Sequence, residues 1–224
     1  MPTERARLAG VYLLTPDAVG RAFDRVLGVV EQALAAGVRV VQYRNKRADA
    51  PEREQQVRAL VRLAQAAGAL AIVNDRVELA RAVGADGVHL GRDDGDVRAA
   101  RALLPDGLLG ISCYDDPARA ARAVADGADA IAFGSVFPSS TKPQAVRAPL
   151  ELLADARRRW PAQRVIAIGG IDGGNIRQVA AAGAHAAALI SAVFDAHDPG
   201  RAAAALVHMF NEGQESHESQ RAAV

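Results

Sequence analysis

The chain has little of what secreted, membrane-spanning and disulfide-stabilised proteins depend on. It contains a single cysteine, Cys113, so no disulfide can form within it, and this favours a reducing compartment. No segment approaches the ~20 consecutive apolar residues of a membrane span. The opening segment, MPTERARLAG, lacks the apolar core of a signal peptide. We therefore expect a cytoplasmic protein without a membrane partner.

An excess of charge of one sign is also missing. Lys and Arg number 27 against 26 Asp and Glu, which gives a formal net charge of +1. This balance offers no electrostatic reason for general nucleic-acid binding. We expect small molecules as partners and no nucleic acid, while the sequence leaves a homodimer open.

Aromatic residues are scarce, and a repeated pattern of small and branched residues takes their place. Only 4% of the residues are aromatic although 50% are hydrophobic, so the core must consist mainly of Ala, Val, Leu and Ile. A helix that ends in glycine and is followed by a short apolar run recurs along the chain. Four copies are Ala35-Ala36-Gly37 before VRVVQYR, Val83-Gly84-Ala85-Asp86 before GVHL, Asp126-Gly127-Ala128-Asp129 before AIAF, and Ala182-Gly183-Ala184-His185 before AAALI.

This pattern predicts βα units in series. Glycine ends a helix because it accepts the left-handed conformation, and continuous apolar runs are typical of strands buried on both faces of a parallel sheet. Predicted strands occupy 11–15, 38–43, 70–74, 87–90, 108–112, 129–133, 164–168 and 186–190. Eight such units without a linker predict a single (βα)8 TIM barrel over 1–210, followed by a polar, flexible tail over 211–224. A doubly wound open sheet is the alternative.

Two further details concern helix ends. The final helix is predicted to run from Pro199 to Phe210, and Asp172 to cap the helix after the seventh strand.

Polar residues fall where the strands end, which in a barrel is the catalytic rim. After the second strand, alternation in extended chain predicts that Gln42, Arg44 and Lys46 project together. Two cations and an amide form a good anion receptor. A basic surface loop is the other interpretation.

Carboxylates follow the third and fourth strands, in VNDR and GVHLGRDD. Because neighbouring strands end at neighbouring parts of the rim, Asp75 and Asp94 should lie close together. Hard oxygen ligands beside a cationic receptor suit a Mg²⁺–diphosphate complex. Taken singly, Asp75 could equally be a helix N-cap, and Asp93-Asp94 a solvated turn.

A second anion site is predicted on the other side of the rim. The loop after the sixth strand, FPSSTK, offers hydroxyls and a lysine. Gly169-Gly170 follows the seventh strand and Ile190-Ser191 the eighth, where barrels commonly hold a phosphate. One mouth would then hold two anionic substrates that face each other.

The motifs QYRNK, VNDR, GVHLGRDD, GISCYDD, FGSVFPSSTKP, AIGGI and ISAVF together resemble the thiamine phosphate synthase family in order and spacing. The resemblance implies a transferase that joins hydroxymethylpyrimidine diphosphate to a thiazole phosphate and releases diphosphate. It also implies Mg²⁺ as cofactor and a dissociative mechanism, in which the bond to diphosphate breaks before the thiazole nitrogen attacks.

The resemblance assigns a role to each matching position. Gln42, Arg44, Lys46, Asn74, Ser112 and Lys142 would hold the pyrimidine diphosphate, with Ser112 facing the ring and Lys142 reaching the diphosphate. Asp75 and Asp94 would ligate Mg²⁺. Ser139, Thr141, Gly170, Ile190 and Ser191 would bind the thiazole phosphate. The residues implied to act in catalysis are Arg44, Lys46, Ser112 and Lys142.

Some positions depart from the family pattern. The usual Gly-Gln-x-Asp is Gly91-Arg92-Asp93-Asp94, the usual Gly-Pro is Gly134-Ser135, and the first threonine of the phosphate loop is Ser139. None of these changes removes a group that the reaction needs.

Two alternative functions remain open at this point: a thiazole tautomerase of the same fold, and a non-catalytic regulator that binds thiamine phosphate. Neither would need the diphosphate and metal residues. His89 is interpreted as a hydrogen-bonded rim residue rather than a general base, and Cys113 as a packing residue.

Overall fold

Eight parallel strands, hydrogen-bonded to one another in chain order, close into a barrel in the computed structural model, which describes residues 4–138, 144 and 146–222. The strands are β1 Gly10–Leu14, β2 Val40–Tyr43, β3 Leu70–Asn74, β4 Gly87–Leu90, β5 Leu108–Tyr114, β6 Ala130–Phe133, β7 Arg164–Ile168 and β8 Ala186–Leu189. The last strand pairs with the first, with Gly10 opposite Ala186. The predicted TIM barrel is confirmed, and the open sheet is excluded.

Helices alternate with the strands and cover the outside of the barrel. They are α1 Glu4–Arg7, α2 Arg21–Ala35, α3 Ala50–Ala66, α4 Val77–Val83, α5 Val97–Leu103, α6 Pro117–Ala125, α7 Glu151–Arg159, α8 Ile176–Ala181, α9 Ser191–Phe194 and α10 Pro199–Ala222. None of the helices among the described residues is both long and apolar enough to cross a membrane.

The prediction of a flexible tail from residue 211 is wrong, because α10 continues to Ala222. Two polar residues of this stretch, Gln214 and His217, pair with α8 and the turn after it instead of extending into solvent. The side-chain amide of Gln214 donates to the carbonyl oxygens of Ala180 and Ala184, at 3.1 and 2.6 Å. His217 is buried, with its Nδ1 3.0 Å from the carbonyl oxygen of Ala181. The carbonyl groups at the end of α8 and in the turn after it thus gain side-chain donors from α10.

The predicted cap at Asp172 is also wrong. Asn175 is the N-cap residue of α8 and makes no side-chain cap hydrogen bond. The Asp172 carboxylate accepts from the backbone N–H of Gly174 at 2.8 Å, so it stabilises the turn that precedes the helix.

Alternation along the strands divides the apolar residues into two layers. Side chains at every second position fill the barrel interior, and those between them pack under the helices. The interior cluster comprises Leu8, Tyr12, Leu14, Val40, Leu70, Ile72, Leu108, Ala130, Ala132, Ile166, Ala186 and Ala188. The same inward positions turn polar towards the strand ends, where Val40 is followed by Gln42 and Ile72 by Asn74. The interior is therefore apolar at its base and polar at its rim.

The opposite end of the barrel contains an ion cluster around a buried carboxylate. Asp129 is 6% exposed, and its two carboxylate oxygens pair with the guanidinium groups of Arg5 and Arg101. One of these oxygens also accepts from the backbone N–H of Leu109 at 2.9 Å. This face stabilises the fold, which leaves the C-terminal rim for binding and chemistry.

Candidate active site

The C-terminal rim contains a cavity of about 330 Å³ above the interior cluster. Its wall combines a few polar groups with an apolar surface, as small-molecule sites commonly do. It is lined by Leu14, Arg44, Ser112, Tyr114, Ala132, Gly134, Ser135, Pro138, Ile168, Gly169, Gly170, Ile171, Asp172, Ala188, Leu189, Ile190 and Ser191. Five residues of the predicted site thus line one cavity, although they come from separate strand ends: Arg44, Ser112, Gly170, Ile190 and Ser191.

A second pocket, of about 250 Å³, lies beyond the ends of β2 and β3. Its lining is mostly polar and cationic: Tyr43, Asn45, Lys46, Arg53, Val73, Asn74, Asp75 and Arg76. This pocket brings together three other residues of the predicted site: Lys46, Asn74 and Asp75. Because of its cations it suits an anion better than the larger cavity does.

The prediction that Gln42, Arg44 and Lys46 project together is wrong. Strand β2 ends at Tyr43, so strict alternation does not extend to Lys46. Gln42 is buried in the barrel interior, where its amide donates to the Tyr12 hydroxyl at 2.7 Å. Arg44 lines the larger cavity and Lys46 the cationic pocket. The three residues therefore serve adjoining compartments.

Asp17, in the loop after β1, contacts the side chain of Arg44 and the backbone of Lys46. Its carboxylate pairs with the Arg44 guanidinium at 3.2 Å and accepts from the backbone N–H of Lys46 at 2.9 Å. The Thr15 hydroxyl also exchanges hydrogen bonds of 2.9 Å with the backbone N–H and carbonyl of Arg44. The segment that carries the cations is therefore fastened to the first strand.

Asp75 and Asp94 lie within hydrogen-bonding reach of each other, as the order of the strands predicted. The pKa of Asp75 is raised to about 6, first by burial and then by the hydrogen bond with Asp94 and its negative charge. Lys46 and Arg44 act in the opposite direction. Asp94 is held by the backbone N–H of Gly91, which donates to it at 2.7 Å.

The backbone at Asp75 is strained, with a φ of 66° that non-glycine residues rarely adopt. Such conformations cost on the order of 1–3 kcal/mol and concentrate at functional sites. Asp75 nevertheless extends the pairing of β3 with β4, since its N–H donates to the carbonyl of His89 at 2.9 Å.

The donor set at this pair fits Mg²⁺. Both groups are carboxylates, and no cluster of three or more acidic, His or Cys side chains suitable for a metal exists among the described residues. Zinc and calcium sites usually need more protein ligands than two. Mg²⁺ is often held by one or two carboxylates, with water and substrate phosphates as its other ligands. Asp75 and Asp94 therefore match a magnesium site that a phosphate completes.

Ser112 lines the cavity and contacts a buried histidine beneath it. Its Oγ lies 2.9 Å from Nε2 of His89. Burial lowers the pKa of His89 to about 4, so the ring is neutral at physiological pH and is held by hydrogen bonding, as the sequence indicated. Arg119 fixes the same region by donating to the carbonyls of Ser112 and Gly91, at 2.7 and 2.9 Å.

Two glycines let the far wall of the cavity close. A Cβ on Gly169 would lie 2.2 Å from Oγ of Ser135, and one on Gly170 would lie 2.2 Å from the carbonyl oxygen of Pro138. Both also have positive φ, of 102° and 64°. The loop after β7 therefore packs directly on the loop after β6. The predicted residues Ser139, Thr141 and Lys142 lie outside the described residues.

Sequence reasoning missed the contribution of Tyr114. It lines the cavity from the end of β5, two residues beyond the predicted end of that strand. Its ring lies 4.7 Å from the guanidinium of Arg92, one of the positions that depart from the family pattern. A longer β5 with continued alternation after Ser112 would have identified it. Arg53 on α3 also lines the cationic pocket, and no sequence pattern pointed to it.

Comparisons with known proteins agree with this geometry. A sequence model of the thiamine monophosphate synthase family matches residues 11–193. The thiamine-phosphate synthase of Halorhodospira halophila is 53% identical over 211 residues, which cover 92% of this chain and 97% of that protein. That of Chromobacterium violaceum is 51% identical over 205 residues, which cover 91% of this chain and 97% of that protein. The solved structure of a thiamine phosphate pyrophosphorylase from Pyrococcus furiosus matches with a TM-score of 0.81 at 34% identity, over 93% of this chain and 98% of that one.

The family model covers the ends of all eight strands, including those that line both pockets. The solved structure shares the fold, and the curated relatives share about half of all residues. This chain belongs to the thiamine monophosphate synthase family and is a transferase of thiamine biosynthesis.

Proposed function

We propose that the chain joins 4-amino-2-methyl-5-(diphosphooxymethyl)pyrimidine to a thiazole phosphate, which gives thiamine phosphate and diphosphate. The observation that carries the proposal is the Asp75–Asp94 pair beside Lys46 and Arg44. Asp75 lines the cationic pocket, and Arg44 also lines the cavity that contains Ser112 and apolar side chains. A diphosphate at the paired carboxylates would have its organic group in that cavity. The single buried cysteine supports a reducing, cytoplasmic setting for this reaction.

The cationic pocket is the proposed diphosphate site. Lys46 and Asn74 line it and offer an ammonium group and an amide, and Arg44 lines the adjoining cavity. Asp75 and Asp94 would hold Mg²⁺, which when bound would neutralise charge on the diphosphate and favour its departure. Without a cation between them, these carboxylates would repel the substrate's negative charge. Gln42, fixed by Tyr12, supports the floor under this substrate.

The opposite wall is the proposed thiazole phosphate site. Gly170 has no side chain to block an approaching anion, and Ser191 adds a hydroxyl at the start of the short helix α9. Ile190, which follows β8 directly and precedes Ser191, lines the same wall. Barrels commonly bind phosphate in this position. The family resemblance adds Ser139 and Thr141 to this site.

The proposed mechanism is dissociative. The carbon–oxygen bond to diphosphate breaks first, and its electron pair leaves with the diphosphate. The resulting cation on the pyrimidine methylene carbon is then captured by the lone pair of the thiazole nitrogen. Arg44, Lys46 and Lys142 would stabilise the charge that develops on the leaving group, and no general base is required. Apolar side chains such as Leu14 and Ile168 would exclude the water that competes for the cation.

The alternatives are less well supported. A tautomerase or a binding regulator has no use for paired carboxylates, whose mutual repulsion and backbone strain destabilise the fold. Neither would retain this arrangement together with Lys46 and Arg44.

Release of diphosphate distinguishes these functions. Mixing both substrates with Mg²⁺ and the protein should yield stoichiometric diphosphate and thiamine phosphate, measured by coupled phosphate assay and chromatography. A chelator in excess should stop turnover, and added Mg²⁺ should restore it. Product formation undiminished in the chelator would refute the metal assignment, and absence of diphosphate in the presence of both substrates and Mg²⁺ would refute the function.

Asp94→Asn should stabilise the metal-free protein. The variant removes the charge beside Asp75, while its amide oxygen can still accept from Gly91. Because the pKa of Asp75, about 6, exceeds its ordinary 3.8, ionised Asp75 destabilises the fold above that pKa. We expect a gain of about 1 kcal/mol near neutral pH, since solvent screens this half-buried site. The gain should shrink as the pH falls through 6 and vanish below 3.8, where Asp75 is protonated in both states.

Asp93→Asn is the matched control, because Asp93 is exposed and its replacement makes the same change in net charge. Urea unfolding of both variants without metal, over a series of pH values, provides the comparison. Asp93→Asn should alter the free energy of unfolding by no more than about 0.5 kcal/mol. Equal gains in the two variants would show that net charge, and not the contact with Asp75, is responsible.

The dissociative mechanism predicts a strong response to the electron demand of the substrate ring. Replacing the pyrimidine methyl group by trifluoromethyl withdraws electrons and destabilises the proposed cation. Turnover should fall by orders of magnitude, while the affinity for this substrate should change little. Single-turnover kinetics would establish that chemistry limits the rate. A rate within a few-fold of the natural substrate would exclude ionisation as the first step.

A further inference from the structure

His89 and Ser112 form a hydrogen-bonded pair beside the cavity, and the roles proposed above give His89 no function. His89 lies on β4 and is 9% exposed, and its Nε2 is 2.9 Å from Oγ of Ser112 on β5. Ser112 lines the cavity directly above it. A hydrogen bond between Nε2 and Oγ can run in either direction, because neutral imidazole carries its proton on one nitrogen or the other.

The other ring nitrogen decides the direction. Nδ1 of His89 is fully buried and has no hydrogen-bond partner within the described part of the chain. It faces Gly110, the residue opposite His89 in the β4–β5 register. A Cβ on Gly110 would lie 2.6 Å from Nδ1, so a Cα hydrogen of this glycine points towards the nitrogen.

A proton on Nδ1 would therefore be a buried donor that meets a carbon-bound hydrogen. Leaving a buried donor unsatisfied in this way disfavours the tautomer that carries the proton on Nδ1. A bare lone pair at Nδ1 faces the same hydrogen favourably, as in other weak C–H contacts. The proton consequently belongs on Nε2, where the Ser112 oxygen accepts it.

We infer that His89 is a positioning residue that fixes the polarity of the Ser112 hydroxyl: Nε2–H donates to Oγ, and the Ser112 hydrogen is left to be donated into the cavity. Ser112 thereby selects a ligand atom with a lone pair. This inference deepens the proposed function and rests on it for the ligand, since the acceptor would be a ring nitrogen of the pyrimidine. This arrangement also requires glycine at position 110, because a larger residue would displace the histidine ring.

The direct test is the tautomer of His89 in the unmodified protein. Nitrogen NMR of the ¹⁵N-histidine-labelled protein, with the His89 signals assigned by their loss in His89→Gln, reports which nitrogen carries the proton. We expect protonated Nε2 and unprotonated Nδ1 near neutral pH. A proton on Nδ1 would overturn the inference. This measurement needs no catalysis, so it stands even if the proposed reaction does not occur.

Kinetics test whether His89 acts through Ser112. The amide nitrogen of His89→Gln can take the place of Nε2, whereas His89→Asn is too short to reach Ser112. We expect His89→Asn to raise the KM for the pyrimidine diphosphate about tenfold, and the KM for the thiazole phosphate less than twofold. His89→Gln should restore most of the loss. Thermal unfolding of each variant shows whether the fold is retained.

A double-mutant cycle separates this role from a structural one. If His89 works only by orienting the hydroxyl, His89→Asn should raise the KM for the pyrimidine diphosphate by less than about twofold when Ser112 is already alanine. The same tenfold loss in the Ser112→Ala background would overturn the inference, as would an equal rise in both KM values. An analogue with C–H in place of the ring nitrogen should bind to the parent protein more weakly than the natural substrate does. To Ser112→Ala, the analogue and the natural substrate should bind with equal affinity.

Discussion

Repulsion between two carboxylates at the rim of the barrel is the constraint around which the rest of the site is arranged. Asp94 is close enough to Asp75 to raise the energy of its charged form, and with it the pKa of Asp75. Several features hold them there. The β3–β4 pairing continues into Asp75, the Gly91 N–H holds Asp94, and Arg119 ties the ends of β4 and β5 together. The closed barrel supplies the rigidity that keeps this pair from separating.

The repulsion explains why the cations lie where they do. Lys46 and Arg44 favour the charged form of Asp75, and Asp17 positions both through a single carboxylate. The cations cluster on this side of the rim, whereas the far wall is formed largely by glycine and apolar residues. The two halves therefore differ in chemistry: one suits a metal-bound diphosphate, and the other a ring with a single phosphate.

Much of the barrel was predictable because its strands are buried on both faces and bounded by clear helix ends. The bounds of β3, β4 and β7 agree with the prediction residue for residue. Strand β5 was predicted too short, since its last residue, Tyr114, has a φ of 58° and follows an irregularity in pairing. The end of α10 was missed because Gln214 and His217 look like tail residues until the carbonyls of α8 are known.

The site was predictable to the extent that strand order determines which residues meet. The approach of Asp75 to Asp94 follows from adjacent strands, and so does the shared cavity of Gly170 and Ser191. The division of Gln42, Arg44 and Lys46 among separate compartments does not follow from strand order, because it depends on where β2 ends. The contact between His89 and Gly110 depends on register across two strands, which spacing along the chain does not specify.

The proposed division of the rim can be tested with a crystal structure that contains Mg²⁺, diphosphate and thiamine phosphate. We expect one metal ion between Asp75 and Asp94 that also contacts a diphosphate oxygen, with the phosphate of thiamine phosphate at Gly170 and Ser191. A metal ion bound elsewhere, or diphosphate bound at the Gly170 wall, would contradict it.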